Sequence, residues 1–182
     1  MHRFLANNRD ELIARCKAKV ARRPLRGASE KQLAHGVPMF LDQLTRTLAA
    51  EEDDEGNVTI AISGPAGGDS LALSEIGVSA TAHGKELLKL GYTVDQVVHD
   101  YGDLCQATQT SHPRCDAPFA VGEFRTRNRC LDNAIADAVT EFSAHRDAQL
   151  SIEQIAGEKQ RLGFLVHELR NLLGTATHRQ AD

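Results

Sequence analysis

The C-terminal part of the chain carries a heptad pattern, which constrains the possible fold more than any other feature of the sequence. Its apolar residues recur at steps that alternate between four and three, the spacing of a helix that packs along a partner helix. These positions, called the seam below, are Ala148, Ile152, Ile155, Leu162, Val166, Leu169, Leu173 and Ala176, with Lys159 as a polar member. Leu165 and Leu172 widen the apolar face, so we expect a long helix that joins a helical bundle.

Composition indicates that the rest of the chain is helical as well. Hydrophobic residues make up 41% of the 182 residues, but aromatic residues make up only 4% and there is no Trp. A core must therefore be built mainly from Leu, Val, Ile and Ala, which favours helices. We predict an all-α fold in which a helical domain is followed by a long C-terminal helix that pairs with a partner helix.

Charge, cysteine usage and hydropathy limit which partners and which cellular compartment the sequence suggests. The net charge is −4 and there is no basic field, which argues against nucleic-acid binding. The four Cys lack paired spacing and no signal peptide is visible, so we interpret them as reduced thiols in the cytoplasm. No apolar run approaches the roughly 20 residues that a membrane span needs. We expect a cytoplasmic protein without a membrane span.

Local signals predict where the helices begin and end. We predict helices over residues 9–23, 29–50 and 70–90, a fourth from 93 and a fifth from 116 that continues into the seam. Ser29, Ser70, Thr93 and Asp116 are the expected caps. Residues 58–62 alternate weakly and have no evident partner strand, so we predict a loop there.

Beside the seam lies a group of side chains suited to nucleophilic chemistry. His167 follows the seam residue Val166 directly, at a heptad b position, and should face solvent. Asn171 is four residues further on and shares a face with His167, while Glu168 is its neighbour. A neutral imidazole has one nucleophilic nitrogen at pH 7, and a carboxylate that accepts from the other ring N–H fixes the tautomer. The alternative is an amphipathic helix with one exposed His.

The sequence His-Glu-Leu-Arg-Asn-Leu-Leu, residues 167–173, resembles the phosphoacceptor box of sensor histidine kinases. In that family the box lies on the first helix of the dimerisation and histidine-phosphotransfer hairpin. The resemblance implies that His167 is the phosphoacceptor, that Glu168 is the orienting base, and that Asn171 orients a hydrolytic water for phosphatase activity. Family members commonly carry Pro where this chain has Leu172, so we expect a straighter helix.

The same resemblance implies the partners and cofactors. His167 would take the γ-phosphoryl group of ATP and pass it to an aspartate of a response regulator receiver domain. The chain carries no nucleotide-binding box of the kinase type, so ATP and Mg would belong to a separate catalytic domain and no cofactor to this chain. We expect a homodimer through the C-terminal helix and a chain divided into a sensor domain, residues 1–146, and the first phosphoacceptor helix, residues 147–182.

Residues 91–106, which read Gly-Tyr-Thr-Val-Asp-Gln-Val-Val-His-Asp-Tyr-Gly-Asp-Leu-Cys-Gln, are similar to a segment of the Rsb-type stressosome sensor N-terminal domain. This similarity implies a globin-like sensor domain that lacks haem. Two alternatives remain open. One is a stressosome-like, non-catalytic sensor and dimerisation module, and the other is a ligand-binding globin-type sensor.

His83, on the apolar face of the third predicted helix, is the only candidate haem ligand. The scarcity of aromatic residues to flank a porphyrin favours a core His that is hydrogen-bonded to the backbone.

Two further motifs are weak as ligand sites. The glycine-rich residues 64–70 lack both the Gly-Lys-Ser/Thr ending and the preceding buried strand of a phosphate-binding loop. The irregular spacing of Cys105, His112 and Cys115 is unlike that of zinc sites. We therefore expect no metal site.

Two charged groups are interpreted as solvated surface. The basic run at residues 125–129 is more typical of a solvated face than of an RNA site. His99 and Asp103 are four residues apart and are expected on the face of the fourth helix that lies opposite its core positions. Exposed pairs of this kind contribute little to stability.

Overall fold

A computed structural model describes residues 1–22, 30–68, 72–110 and 120–179, except for the side chains of residues 20–21, 30–35, 108–110 and 171–179. The described residues form helices and connecting turns, which confirms the all-α prediction. The helices are α1 His2–Asn7, α2 Arg9–Ala21, α3 Glu30–Glu52, α4 Gly56–Ser63, α5 Glu75–Lys89, α6 Val94–Thr110 and α7 Val121–Arg179. The predicted caps Ser29 and Asp116 and the zinc candidates His112 and Cys115 lie outside the described residues.

The chain divides into two compact units, residues 1–143 and residues 144–182. The second unit contains the C-terminal part of α7, a helix of 59 residues, so the prediction of a long C-terminal helix is confirmed. None of the described helices combines the length and the apolarity that crossing a membrane requires.

The core of the first unit is organised around α3. This helix packs against α1, α2, α4 and α5, while α6 packs against α2. Phe40, Leu41, Leu44 and Leu48 are buried on α3 because their helical spacing places them on one face. Aliphatic side chains and alanines dominate the core, as the composition predicts.

The N-terminus of α6 confirms the predicted cap Thr93, which forms a capping box with Gln96. The Gln96 N–H donates to Thr93 Oγ1 at 3.3 Å, and the Thr93 N–H donates to Gln96 Oε1 at 2.9 Å. The two side chains thereby satisfy backbone groups that have no partner within the helix.

The predicted start of the third helix is wrong. The corresponding helix, α5, begins at Glu75, where Ser74 Oγ accepts from the Gly77 N–H at 3.1 Å. Ser74 is therefore the cap of α5, and the predicted cap Ser70 lies outside the described residues. Leu73, which falls inside the predicted range of the third helix, precedes α5 and is 54% exposed.

Two short helices were not predicted. Residues 58–62 were predicted to form a loop, but they belong to α4. This helix buries Thr59, Ile62 and Ser63, which share one face because their spacing is three and four residues. Helix α1 places Leu5 in the core. Each of these helices is too short to show a repeating apolar pattern.

Asp103 is buried, which contradicts its predicted place on a solvated face. Asp103 is only 2% exposed, because α2 covers this side of α6. Asp103 Oδ1 lies 3.6 Å from Lys19 Nζ on α2. His99 pairs instead with Asp95, with Nε2 and Oδ1 3.3 Å apart.

The basic run at residues 125–129 is also not a solvated face, Arg125 excepted. Arg127 is 2% exposed, and its guanidinium carbon lies 4.5 Å from the centroid of the Phe124 ring. Arg129 Nη2 donates to Glu51 Oε1 at 2.6 Å. Arg127 and Arg129 therefore pack against other parts of the first unit instead of lying on a solvated face.

Candidate functional site

His167 and Glu168, the two predicted phosphoacceptor residues with described side chains, lie on α7 within the second compact unit. Every side chain from residue 144 to residue 170 is exposed in the chain by itself. His167 and Glu168 are therefore open to solvent, but exposure alone does not distinguish them from their neighbours. The side chain of Asn171 lies outside the described residues.

Helix geometry sets what this group can do. Successive residues of an α-helix point about 100° apart, so Glu168 lies beside His167 rather than above it. His167 and Asn171, four residues apart, lie on one face one turn apart. A group transferred to the His167 ring from solvent would therefore be adjacent to residue 171.

The seam next to His167 is uncovered. Its large aliphatic side chains are between 53% and 67% exposed, and Leu165 beside it is 54% exposed. These side chains are Ile152, Ile155, Leu162, Val166 and Leu169. An apolar stripe of this length at heptad spacing favours association with another helix, since association removes it from water.

A cavity of about 330 Å³ lies in the first unit among α3, α5 and α6. Most of its lining is apolar, including Phe40, Ile76 and Leu104. His83 and Tyr101 contribute their rings to it. Sequence reasoning singled out His83 on an apolar face but did not predict the cavity.

The two polar rings of the cavity contact each other. The centroids of His83 and Tyr101 are 6.1 Å apart with the ring planes at 88°, an edge-to-face arrangement. Burial lowers the pKa of His83, which keeps the imidazole neutral at pH 7, although Glu86 opposes this shift. Burial, followed by the charge of Asp137, raises the pKa of Tyr101, so its phenol stays protonated.

His83 was expected to be a core residue hydrogen-bonded to the backbone, and the structure does not show this. Among the described residues, its contact is the ring contact with Tyr101. Gly36 on α3 makes room for the ring, because a Cβ at Gly36 would lie 2.8 Å from His83 Cε1. The imidazole is therefore held by packing, with its nitrogens available to the cavity.

The cavity is small in comparison with a haem. An apolar cavity of about 150 Å³ holds one benzene ring. A cavity of about 330 Å³ accordingly holds about two rings, whereas a porphyrin has four pyrrole rings. No group of three or more His, Cys, Asp or Glu side chains that could hold a metal ion occurs in the part of the chain that the structure describes.

The start of the glycine-rich segment is hydrogen-bonded to a side chain of α7. It follows helix α4, and Gly64 has a φ of 77°. Asn133 Nδ2 on α7 donates to the carbonyl oxygens of Ser63 at 2.7 Å and Pro65 at 3.0 Å. The start of the segment is thereby fixed against α7.

No protein-family model, curated protein or solved structure matches this chain. The predicted phosphoacceptor group on α7 and the cavity among α3, α5 and α6 are therefore the two features from which a function can be inferred.

Proposed function

We propose that this chain is the sensory and phosphoacceptor part of a cytoplasmic two-component sensor histidine kinase. Residues 1–146 would form a globin-like sensor domain without haem, and residues 147–182 the first helix of the dimerisation and phosphoacceptor domain. The observation that carries the proposal is the group His167, Glu168 and Asn171 beside an uncovered heptad seam. Its resemblance to the phosphoacceptor box supports this assignment.

The chemistry begins at the outer ring nitrogen of His167. This nitrogen attacks the γ-phosphorus of ATP, the bond from that phosphorus to the bridging oxygen breaks, and ADP leaves. Glu168 accepts a hydrogen bond from the other ring N–H and stabilises the positive charge that develops on the imidazole. ATP and Mg are held by a separate catalytic domain, so this chain supplies the nucleophile.

The second half-reaction transfers the phosphoryl group to a response regulator. A receiver-domain aspartate attacks the phosphorus, and the phosphorus–nitrogen bond to His167 breaks. In the phosphatase reaction, Asn171 orients the water that hydrolyses the phosphorylated receiver. Both partners reach His167 from solvent, which suits an exposed b position.

The proposed dimer forms along the seam. Each fully buried Leu or Ile side chain contributes about 1.5–3 kcal/mol. Five such residues per chain together are comparable to or larger than the ~4–15 kcal/mol that association costs. In a parallel pair, b positions such as His167 lie on the outer flanks, where a catalytic domain and a receiver have access.

The test is labelling in trans. With an isolated histidine-kinase catalytic domain and radiolabelled ATP, the chain should acquire an acid-labile phosphoryl group. His167→Ala should abolish the label, whereas His145→Ala, which removes another exposed His of α7, should retain it. Full labelling of His167→Ala would place the acceptor elsewhere.

Two further variants separate the roles of the neighbours. Glu168→Ala should slow labelling by about 10²-fold or more, because a positioned base contributes about 10²–10⁴-fold. Asn171→Ala should leave labelling intact and impair dephosphorylation of the receiver, since only that reaction needs an oriented water. Equal losses in both reactions for Asn171→Ala would contradict this division.

A further inference from the structure

The cavity among α3, α5 and α6 combines apolar walls with two polar groups. The charged residues of its described lining, Glu86 and Asp100, are both acidic. We infer that the cavity is a binding site for a small, uncharged, two-ring aromatic molecule that carries one hydrogen-bonding group. The inference is independent of the phosphoacceptor proposal, because it concerns the first compact unit and a binding equilibrium.

Size limits the ligand to about two rings. The volume of about 330 Å³ lies at the lower end of the roughly 300–1,000 Å³ range of small-molecule pockets. One benzene ring occupies a cavity of about 150 Å³. A fused two-ring body therefore fills the space, and larger ring systems exceed it.

Aromatic walls favour a flat ligand. Tyr101 lies edge-to-face with Phe40, with centroids 6.2 Å apart, as well as with His83. Ile76 and Leu104 add apolar surface. Aromatic rings prefer edge-to-face and offset-stacked contacts, so these walls suit an aromatic body better than a branched aliphatic one.

His83 and Tyr101 supply the polar recognition. Tyr101 is 8% exposed, and its contacts among the described residues are through the ring, as are those of His83. Both side chains line the cavity, so the phenol and the imidazole are placed to hydrogen-bond with a molecule bound there. A ligand hydroxyl can donate to the bare nitrogen of His83 and accept from the hydroxyl of Tyr101.

The described part of the lining disfavours an anionic ligand. Glu86 and Asp100 line the cavity, and no Lys or Arg lines it among the residues whose side chains the structure describes. Lys85 is paired with Glu141 at 3.0 Å, and Lys89 Nζ lies 3.7 Å from Glu86. A carboxylate in the cavity would meet acidic neighbours and a neutral imidazole, which do not stabilise it.

Three probes with one ring system test the chemical class: 2-naphthol, naphthalene and 2-naphthoate. The chain has no Trp, so the fluorescence of these ligands can be read without a tryptophan background. We expect 2-naphthol to bind saturably with one site per chain. Naphthalene should bind about tenfold more weakly because it lacks the hydroxyl, and 2-naphthoate more weakly still.

The chain's two tyrosines provide matched variants. Tyr101→Phe keeps the ring and removes the hydroxyl, and should weaken 2-naphthol about tenfold while leaving naphthalene unchanged. Tyr92→Phe makes the same change at a buried tyrosine that does not line the cavity, and should leave both affinities unchanged. Thermal unfolding of each variant checks that the fold is intact.

Three results would overturn the inference. The first is the absence of saturable 2-naphthol binding to the unmodified chain. The second is an equal loss of affinity in the two tyrosine variants. The third is binding of 2-naphthoate as tight as that of 2-naphthol. None of these measurements involves ATP, a kinase domain or His167, so failure here leaves the phosphoacceptor proposal standing.

Discussion

Gly84 on α5 lies so close to Ala138 on α7 that a Cβ at Gly84 would come within 2.4 Å of the Ala138 carbonyl oxygen. Both residues are buried. The neighbour is backbone, which cannot swing aside as the end of a flexible side chain can. The absence of a side chain at Gly84 therefore sets the distance between the two helices at this point.

Replacing Gly84 should destabilise the first unit. An alanine in a helix interior normally gains about 1 kcal/mol over glycine. At Gly84 the steric conflict, typically about 1–3 kcal/mol and more when backbone must move, should outweigh that gain. Urea denaturation should show a net loss for Gly84→Ala. Gly102→Ala on α6 is the control, because nothing lies within 4 Å of its added Cβ, and it should gain up to about 1 kcal/mol. If both variants gained stability, or both lost it, this account would be contradicted.

Arg127 should cost stability rather than supply it. Its Nε and Nη1 have no hydrogen-bond partner among the described residues, and Nη2 is 3.3 Å from Asn128 Oδ1. The contact with Phe124 is worth about 0.5–2 kcal/mol, whereas removing a guanidinium from water costs several. Arg127→Met should therefore raise the free energy of unfolding by about 1–3 kcal/mol.

Arg125→Met, at an exposed position of the same run, is the control and should stay within about 0.5 kcal/mol of wild type. A large loss in Arg127→Met would show that the guanidinium has a stabilising partner.

His83 should make the first unit less stable in mild acid. Burial lowers its pKa in the folded chain, while the unfolded chain takes up the proton near pH 6.5. Below that pH the unfolded state binds more protons, so stability falls as the pH falls, by at most about 1.4 kcal/mol per pH unit for one group. Stability curves from pH 7.5 to pH 5 should therefore fall more steeply for wild type than for His83→Gln. Parallel curves would mean that His83 takes up its proton equally in both states.

Repeating patterns and local caps were predictable from the sequence. The periodicities of α3 and α6 extend over several turns, and the pairing of Thr93 with Gln96 needs only residues three apart. The seam is likewise a local pattern of α7, which is why His167 could be placed beside it. Helices α1 and α4, of 6 and 8 residues, are too short for such a pattern.

Burial of polar residues and the cavity depend on contacts between distant parts of the chain. Asp103 is covered because α2 brings Lys19 to it, a relationship that no spacing within α6 encodes. The cavity similarly joins Gly36, His83 and Tyr101 from three helices. His83 could be singled out from the sequence as a histidine on an apolar helix face. Its contact with Tyr101 could not be predicted, because it depends on how α5 and α6 pack.

The proposed dimer can be tested with two residues whose exposure in the single chain is nearly equal. Leu162 is 62% exposed and Phe164 is 63% exposed. Leu162 is a seam position, whereas Phe164 falls at position f of the same heptad, which points away from a partner helix. Exposure alone predicts that the two positions behave alike, and the heptad pattern predicts that they differ.

Sedimentation or light scattering at tens of micromolar should therefore find a dimer for wild type and for Phe164→Glu. Leu162→Glu should weaken the dimer by at least a hundredfold, which corresponds to about 3 kcal/mol. The loss combines a missing apolar contact with the cost of burying a carboxylate that has no partner. Leu169→Glu, one heptad further along the seam, should behave as Leu162→Glu does, because both sit at the same seam position. A monomeric wild type, or equal shifts for the Leu162 and Phe164 variants, would remove the seam as the dimer contact. It would also remove the reason for placing His167 on the outer flank of a two-helix pair.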